Sequence, residues 1–232
     1  MWARRIAAKS NIFKNNKALR NRYLANILDS VHFEENQFIQ NTYTEGIYAL
    51  KVIFSQLKNN LFFNNTATGE GEVFLNQVEF AETNGNSFVK NHLKKSVIRL
   101  LDVGNMSSDG DFFAANDNEN VLFHETRSKM RMKSVVFMCG QSSLINTNSR
   151  NTFQIKSSIL GSLKTPCNSP LVSNSVFMKG ASEIPLQNCA SNVIWKSGRA
   201  ISDICSRFND RLEKSHLSSM PNIFGKLNDL MN

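Results

Sequence analysis

The chain has 232 residues, 41% hydrophobic and 20% charged, with 17 Phe and a net charge of +8; its pI is about 9.4 and its mean hydropathy −0.30. That much apolar material excludes disorder throughout and suffices for a large domain or a domain with helical extensions. No apolar run approaches the roughly 18 residues of a spanning helix, so no transmembrane segment is expected, while the positive excess favours an anionic partner: nucleic acid, anionic lipid or an acidic protein.

Residues 1 to 28 contain seven bases, Arg4, Arg5, Lys9, Lys14, Lys17, Arg20 and Arg22, and no acid; Asp29 is the first carboxylate. Ile6, Ile12, Phe13 and Leu19 are interspersed, which fits an amphipathic basic helix. Three readings compete. A mitochondrial presequence is Arg-rich and acid-poor, and Arg22 to Ala25 resembles its Arg-at-minus-three cleavage pattern. A basic arm binds nucleic acid. A solvated surface helix does neither.

A helix is predicted over 43 to 61, opened by a capping box at Thr42 and Glu45 and striped by Ile47, Leu50, Phe54, Leu57 and Leu61. Gly69 and Gly71 break it. Residues 72 to 80 read as a strand with Phe74, Val78 and Phe80 on one face. A second helix is expected over 87 to 101, with Val89, Leu93, Val97 and Leu100 as its stripe. Residues 102 to 120, rich in Gly, Asn and Asp, read as a long exposed loop. Its acids Asp102, Asp109, Asp111, Asp117 and Glu119 do not fit a calcium-loop spacing.

From 121 to 196 the period becomes two. Strands are predicted near 121–125, 127–139, 152–156, 171–179 and 188–196, paired antiparallel through short turns. A helix over 198–214 follows, with Ile201, Ile204, Cys205, Phe208 and Leu212 as its apolar stripe, then a short one from Pro221. The 30 Asn residues are scattered and read as composition bias plus polar turns; no internal repeat is apparent.

Cys139, Cys167, Cys189 and Cys205 contain no C-x-x-C pair. With no secretory h-region, they are expected as free thiols in a reducing, intracellular compartment. His32, His92, His124 and His216 lack metal-ligand spacing, and His124 and Glu125, adjacent in a strand, point to opposite faces. No nucleophile elbow, Walker loop or dinucleotide fingerprint occurs. No cofactor, metal or catalytic residue is therefore expected.

The strongest functional lead is the alternation Arg127, Lys129, Arg131, Lys133. In a strand these share a face and repeat about every 6.7 Å, close to the phosphate spacing of an extended single strand. Like charges side by side repel, so an anion would relieve a local cost. An edge strand protected by charge, or pairing with acids from 109 to 125, is the structural alternative. The order of helical arm, β-rich middle and C-terminal helix is loosely similar to plant-virus movement proteins of the thirty-kilodalton superfamily. Its motif-like piece is the run Val97 to Asp102; six residues of so common a kind identify no family, and none is claimed.

The expectation is an α+β protein with a mainly antiparallel β core and an inserted helix, flanked by N-terminal and C-terminal helices. Its parts are a basic arm and helical region over 1–65, a β-rich core over 70–196 and a helical tail over 197–232. The expected function is non-enzymatic binding of RNA or single strands through phosphate contacts by Arg127, Lys129, Arg131 and Lys133 with the N-terminal bases, in a viral movement or nucleocapsid-associated role. One alternative is an imported mitochondrial-matrix factor associated with the ribosome or an assembly. The other is a structural protein that forms homo-oligomers through the 198–214 helix.

Overall fold

The structure is a computed structural model that describes residues 2–69, 71–117, 120–124, 129–138, 143–147, 152–156, 159–160, 170–173, 176–178 and 194–196, and the side chains of 5–18, 29–69, 71–117 and 129–136. One six-residue unit organises it: Asn-x-Phe-x-x-Asn at 11–16, 36–41, 60–65 and 86–91, and with Asp first at 111–116. Successive units are offset by 25, 24, 26 and 25 residues. That offset is the length of one coil of a parallel β-solenoid.

The coil that begins at Phe54 shows the plan. Phe54–Lys58 forms its first side, Leu61–Phe63 the second, Thr66–Ala67 the third and Gly71–Asn76 the fourth, and Phe80–Asn84 opens the next coil. Asn59, Asn64 and Gln77 turn the corners with φ of 53°, 52° and 56°. The same left-handed corners recur in the other coils at Glu35, Gly85 and Gly110, at Gln40, Lys90 and Ala115, and at Lys51 and Asp102. Asn and Gly adopt this conformation at least cost. At Gly85, with φ of 62°, glycine adopts the corner without the strain that a side chain brings.

Each strand pairs in parallel with its counterpart one coil on. Ile12, Gln37, Leu61, Ser87, Phe112 and Val136 form one such column of the second side. Among the described residues every regular element is a strand and every strand pairing is parallel. No helix there is long and apolar enough to cross a membrane.

The interior is built of columns. Phe13, Phe38, Phe62, Phe88 and Phe113 stack at 4.8, 4.7, 4.6 and 5.0 Å with planes within 6°. Ring spacing follows the strand spacing of about 4.8 Å. An Asn ladder flanks the Phe column on each side. In the first, Asn36 N and Nδ2 both donate to Asn60 Oδ1, at 3.0 and 3.1 Å, and Asn60 repeats this to Asn86. The second Nδ2 proton of Asn60 goes to Phe33 O at 2.8 Å. Each inner Asn thus donates twice and accepts twice, filling the capacity of its amide. Asn16, Asn41, Asn65, Asn91 and Asn116 form the second ladder.

The α+β expectation is corrected on every described element. The stripe of the predicted 43–61 helix mixed two orientations: Ile47 and Leu57 are core, whereas Leu50, Phe54 and Leu61 are only half-buried on the outside. The real inward set there is Ile47, Ala49, Val52, Ser55, Leu57, Asn60 and Phe62. Inward pairs at i and i+2, repeated every five residues, pass through spacings of three and four and imitate a helix. The predicted 87–101 helix is three strands, Ser87–Val89, His92–Leu93 and Ser96–Leu101. The supposed loop of 102–120 holds the strands Asn105–Asp109 and Phe112–Ala114, with Phe112 and Phe113 buried. The basic arm is no helix; Trp2–Lys9, Ile12–Lys14 and the start of Lys17–Glu34 are strands. After 120, strands fall within or beside 121–125, 127–139, 152–156 and 171–179, but 127–139 and 171–179 each hold two, Ser143–Thr147 and Ile159–Leu160 were not expected, and all pair in parallel with the coil before and after rather than antiparallel with their sequence neighbours. Nine of the scattered Asn are ladder rungs, and the internal repeat exists. The helices expected at 198–214 and from Pro221 lie outside the described residues.

Candidate functional site

On the first side, alternate residues face inward. Lys129–Lys133 is typical: Met130 and Met132 are 1% and 2% exposed, while Lys129, Arg131 and Lys133 stand in solvent. The register makes the outer surface a grid. One column runs Arg5, Ser30, Phe54, Phe80, Asn105, Lys129; the next runs Ala7, His32, Gln56, Glu82, Ser107, Arg131; the third runs Lys9, Glu34, Lys58, Asn84, Asp109, Lys133.

Charge on this grid is uneven. At the N-terminal end, Glu34 lies 3.1 Å from both Lys9 and Lys58. Hydrogen bonds from these two lysines hold the Glu34 carboxyl below its usual range, and Glu34 in turn raises Lys9. Where the described side chains of this side end, three cations share one strand. Of the neighbours one coil before them, only Asp109 is acidic, 3.9 Å from Lys133; Lys129 and Arg131 lie beside Asn105 and Ser107. Between these ends sits an apolar patch. Phe80 is 49% exposed and Ile53 63%, and they adjoin, Phe80 N donating to Ile53 O at 3.0 Å. Half-buried Phe54 pairs with Phe80, and His32 lies against it at 5.4 Å.

The other sequence-derived candidates do not gather here. Arg5 and Lys9 share the first side with the basic strand but lie five strands away, about 24 Å. Lys14 is exposed on the second side and Lys17 on the third. Arg4, Arg20 and Arg22 lie in strands, but their side chains are outside the described ones, as is Arg127 altogether. The patch at Ile53 and Phe80 was missed because both Phe54 and Phe80 had been assigned to apolar stripes. The 25-residue offset is the signal that turns them outward.

A second group of polar residues is sealed inside. Glu72 is fully buried between the third and fourth sides. It accepts hydrogen bonds from Tyr43 Oη and, at 3.2 Å, from Asn65 Nδ2. Its Oε2 has no partner among the described residues. Burial pushes its carboxyl up to about 8 despite these donors, and burial beside Glu72 raises Tyr43 far above the usual phenol range. Asp111 is equally buried and closes the first ladder. Its Oδ1 accepts from Asn86 N and Nδ2 at 2.8 and 2.9 Å, and its Oδ2 from Ser108 Oγ at 2.5 Å. Burial raises its carboxyl against the pull of these donors. One coil on, the register brings Val135, which has no side-chain acceptor; a carboxylate ends the ladder without leaving amide protons to place. The exposed His92 and Asp117, 3.7 Å apart, form an isolated pair. Among the described residues no group of three or more His, Cys, Asp and Glu is placed to hold a metal ion.

The expectation of a viral movement or nucleocapsid-associated RNA-binding protein does not hold. It required an α+β core and a helical basic arm, and the chain is a parallel solenoid whose N-terminal bases are spread over several sides. The similarity to movement proteins falls with that fold. No protein-family model matches the chain, and no curated protein does. Among solved structures the chain is similar to trypsin-treated QnrB1, described as a plasmid-mediated fluoroquinolone resistance protein. The two are 8% identical with a TM-score of 0.28, over 90% of this chain and 98% of the other.

Proposed function

We propose that this chain is a non-enzymatic binding scaffold, a stiff stack of coils that docks an acidic protein partner on its first side. The observation that carries this reading is the exposed Phe80, with exposed Ile53 just before the neighbouring strand, on the side that carries the Lys129, Arg131, Lys133 row. Exposed apolar patches rimmed by polar groups mark protein interaction sites, and solenoids use their extended faces in this way. Fully satisfied buried networks such as the Asn ladders stiffen a structure, which lowers the ordering cost of docking. The non-enzymatic part rests on the buried carboxyls. Glu72 and Asp111, whose protonation burial alters most, are closed off from solution and bonded within the ladders.

The test is selection of a random twelve-residue peptide library on the intact chain, with each enriched peptide measured against variants. Enriched peptides should be rich in Asp and Glu. They should bind at least tenfold more weakly to Phe80→Ser and to Lys129→Glu/Arg131→Glu, and equally well to Lys94→Ala, an exposed change away from the first side. Enriched peptides indifferent to both first-side variants, or no enrichment, would overturn the reading.

A further inference from the structure

We infer that the first side recognises an extended segment carrying an apolar residue and, three positions further on, an acidic one. The inference rests on the docking reading above and adds the geometry of what docks. Phe80, Asn105 and Lys129 occupy one column in consecutive coils, so Phe80 and Lys129 are two strand spacings apart, about 9.6 Å along the solenoid axis. An extended peptide advances about 3.3 Å per residue. With its apolar side chain on Phe80 and Ile53, three residues bring it over Lys129 and Arg131, while two fall short and four overshoot.

The charges around the patch sharpen this register and give it a direction. Glu82 lies on the same strand as Phe80, and its Oε2 accepts from Gln56 Nε2 at 3.1 Å. Asp109 lies one coil on, in the third column. A ligand carboxylate one or two positions from the anchor, about 3.3 or 6.6 Å along the axis, lies nearest the strand Asn105–Asp109, whose one charged side chain is the acid Asp109, so it meets no cation there. In the opposite direction, two spacings from Phe80 reach the strand of Ser30 and His32, where Glu34 already engages Lys9 and Lys58. Among the described residues only the direction toward Lys129 ends on cations in excess of local acids. Misplaced like charges give such a surface its specificity.

The test is a series of labelled synthetic peptides in a neutral Gly-Ser-Asn host. Each carries one Trp and one Asp-Glu pair beginning one to five positions later. Binding to the intact chain is followed by fluorescence anisotropy at 50 and 300 mM salt. The three-position peptide should bind at least fivefold more tightly than the one- and five-position peptides, and the difference should shrink at high salt. Lys129→Gln/Arg131→Gln should flatten the series, and Phe80→Ser should remove the requirement for Trp. A flat series on the parent chain overturns the spacing. If library peptides still depend on Phe80 and the basic row, the docking reading survives that failure; if they do not, both fall. A ten-residue oligouridine binding as tightly as the best peptide, through the same residues, overturns the assignment to a polypeptide. Both substituted faces are solvent-exposed, and unchanged urea midpoints for the variants tie any loss to the surface.

Discussion

Asn60 is 1% exposed, and an Ala in its place would orphan three groups at once: Asn36 N, Asn36 Nδ2 and Phe33 O. Each buried polar group left unpaired costs about 1–3 kcal/mol, so Asn60→Ala should lower stability by about 3 kcal/mol or more. Asn11, on the first rung, is exposed, and Asn11→Ala should cost under about 1 kcal/mol because water takes over its bonds. Urea denaturation of the two variants decides whether the ladder or generic Asn loss is being measured; equal costs would refute the ladder account. Glu72 gives a prediction in pH. Its carboxyl titrates near 8 in the folded chain and near an ordinary carboxylate value unfolded, so across that window the folded state keeps a proton that the unfolded state releases. Stability is greatest below the unfolded value and falls as pH rises toward 8, by up to about tenfold in the folding equilibrium per pH unit. Glu72→Gln should flatten this slope in pH-dependent urea midpoints. An unchanged slope would assign the titration elsewhere.

Phe62 lies in the middle of the ring column, stacked at 4.7 Å on Phe38 and 4.6 Å on Phe88. Removing it should cost about 3–5 kcal/mol as Phe62→Ala, and distinctly less as Phe62→Leu, which refills part of the space. Thermal or urea unfolding that ranks the two variants the other way would contradict the packing. The same column shows how far elements were legible in sequence. Strands after residue 120 could be read because side-chain alternation is a local property, and Met130 and Met132 do point inward between exposed cations. The coils before 120 could not be read by a period of two or of 3.6. From Phe54 to Ala114 the strands are two to six residues long, and each left-handed corner resets the alternation. Leu50, Phe54 and Leu61 therefore joined Ile47 and Leu57 in an apparent stripe although the chain turns them outward. Asn at inward positions was read as turn material because a buried amide is costly unless every bond is made. The ladder makes them all, but only with partners 24 to 29 residues away, beyond any local window.

A whole molecule assembled from nearest-neighbour coils has consequences that no single rung has. Each described coil is bonded to the coil before and the coil after, so stability approximates a sum of coil and interface contributions, and the fold sets no fixed number of coils. The candidate site depends on that count. Phe80 and Lys129 lie far apart in sequence and meet on one surface only because two full coils separate them. Duplicating residues 60–85 after Gly85 adds one coil in register, running the first ladder from Asn60 through the copied Asn to Asn86 and the second through the copy of Asn65. Amides of the added coil should then exchange slowly with deuterium, as ladder amides do, and the urea midpoint should not fall. Replacing both copied ladder Asn residues by Ser should leave the added segment looped out and fast-exchanging while the parent coils stay protected, since a short hydroxyl cannot bridge one coil to the next. Slow exchange in both insertions would mean that backbone pairing alone holds a coil in place and that the Asn ladders merely accompany it.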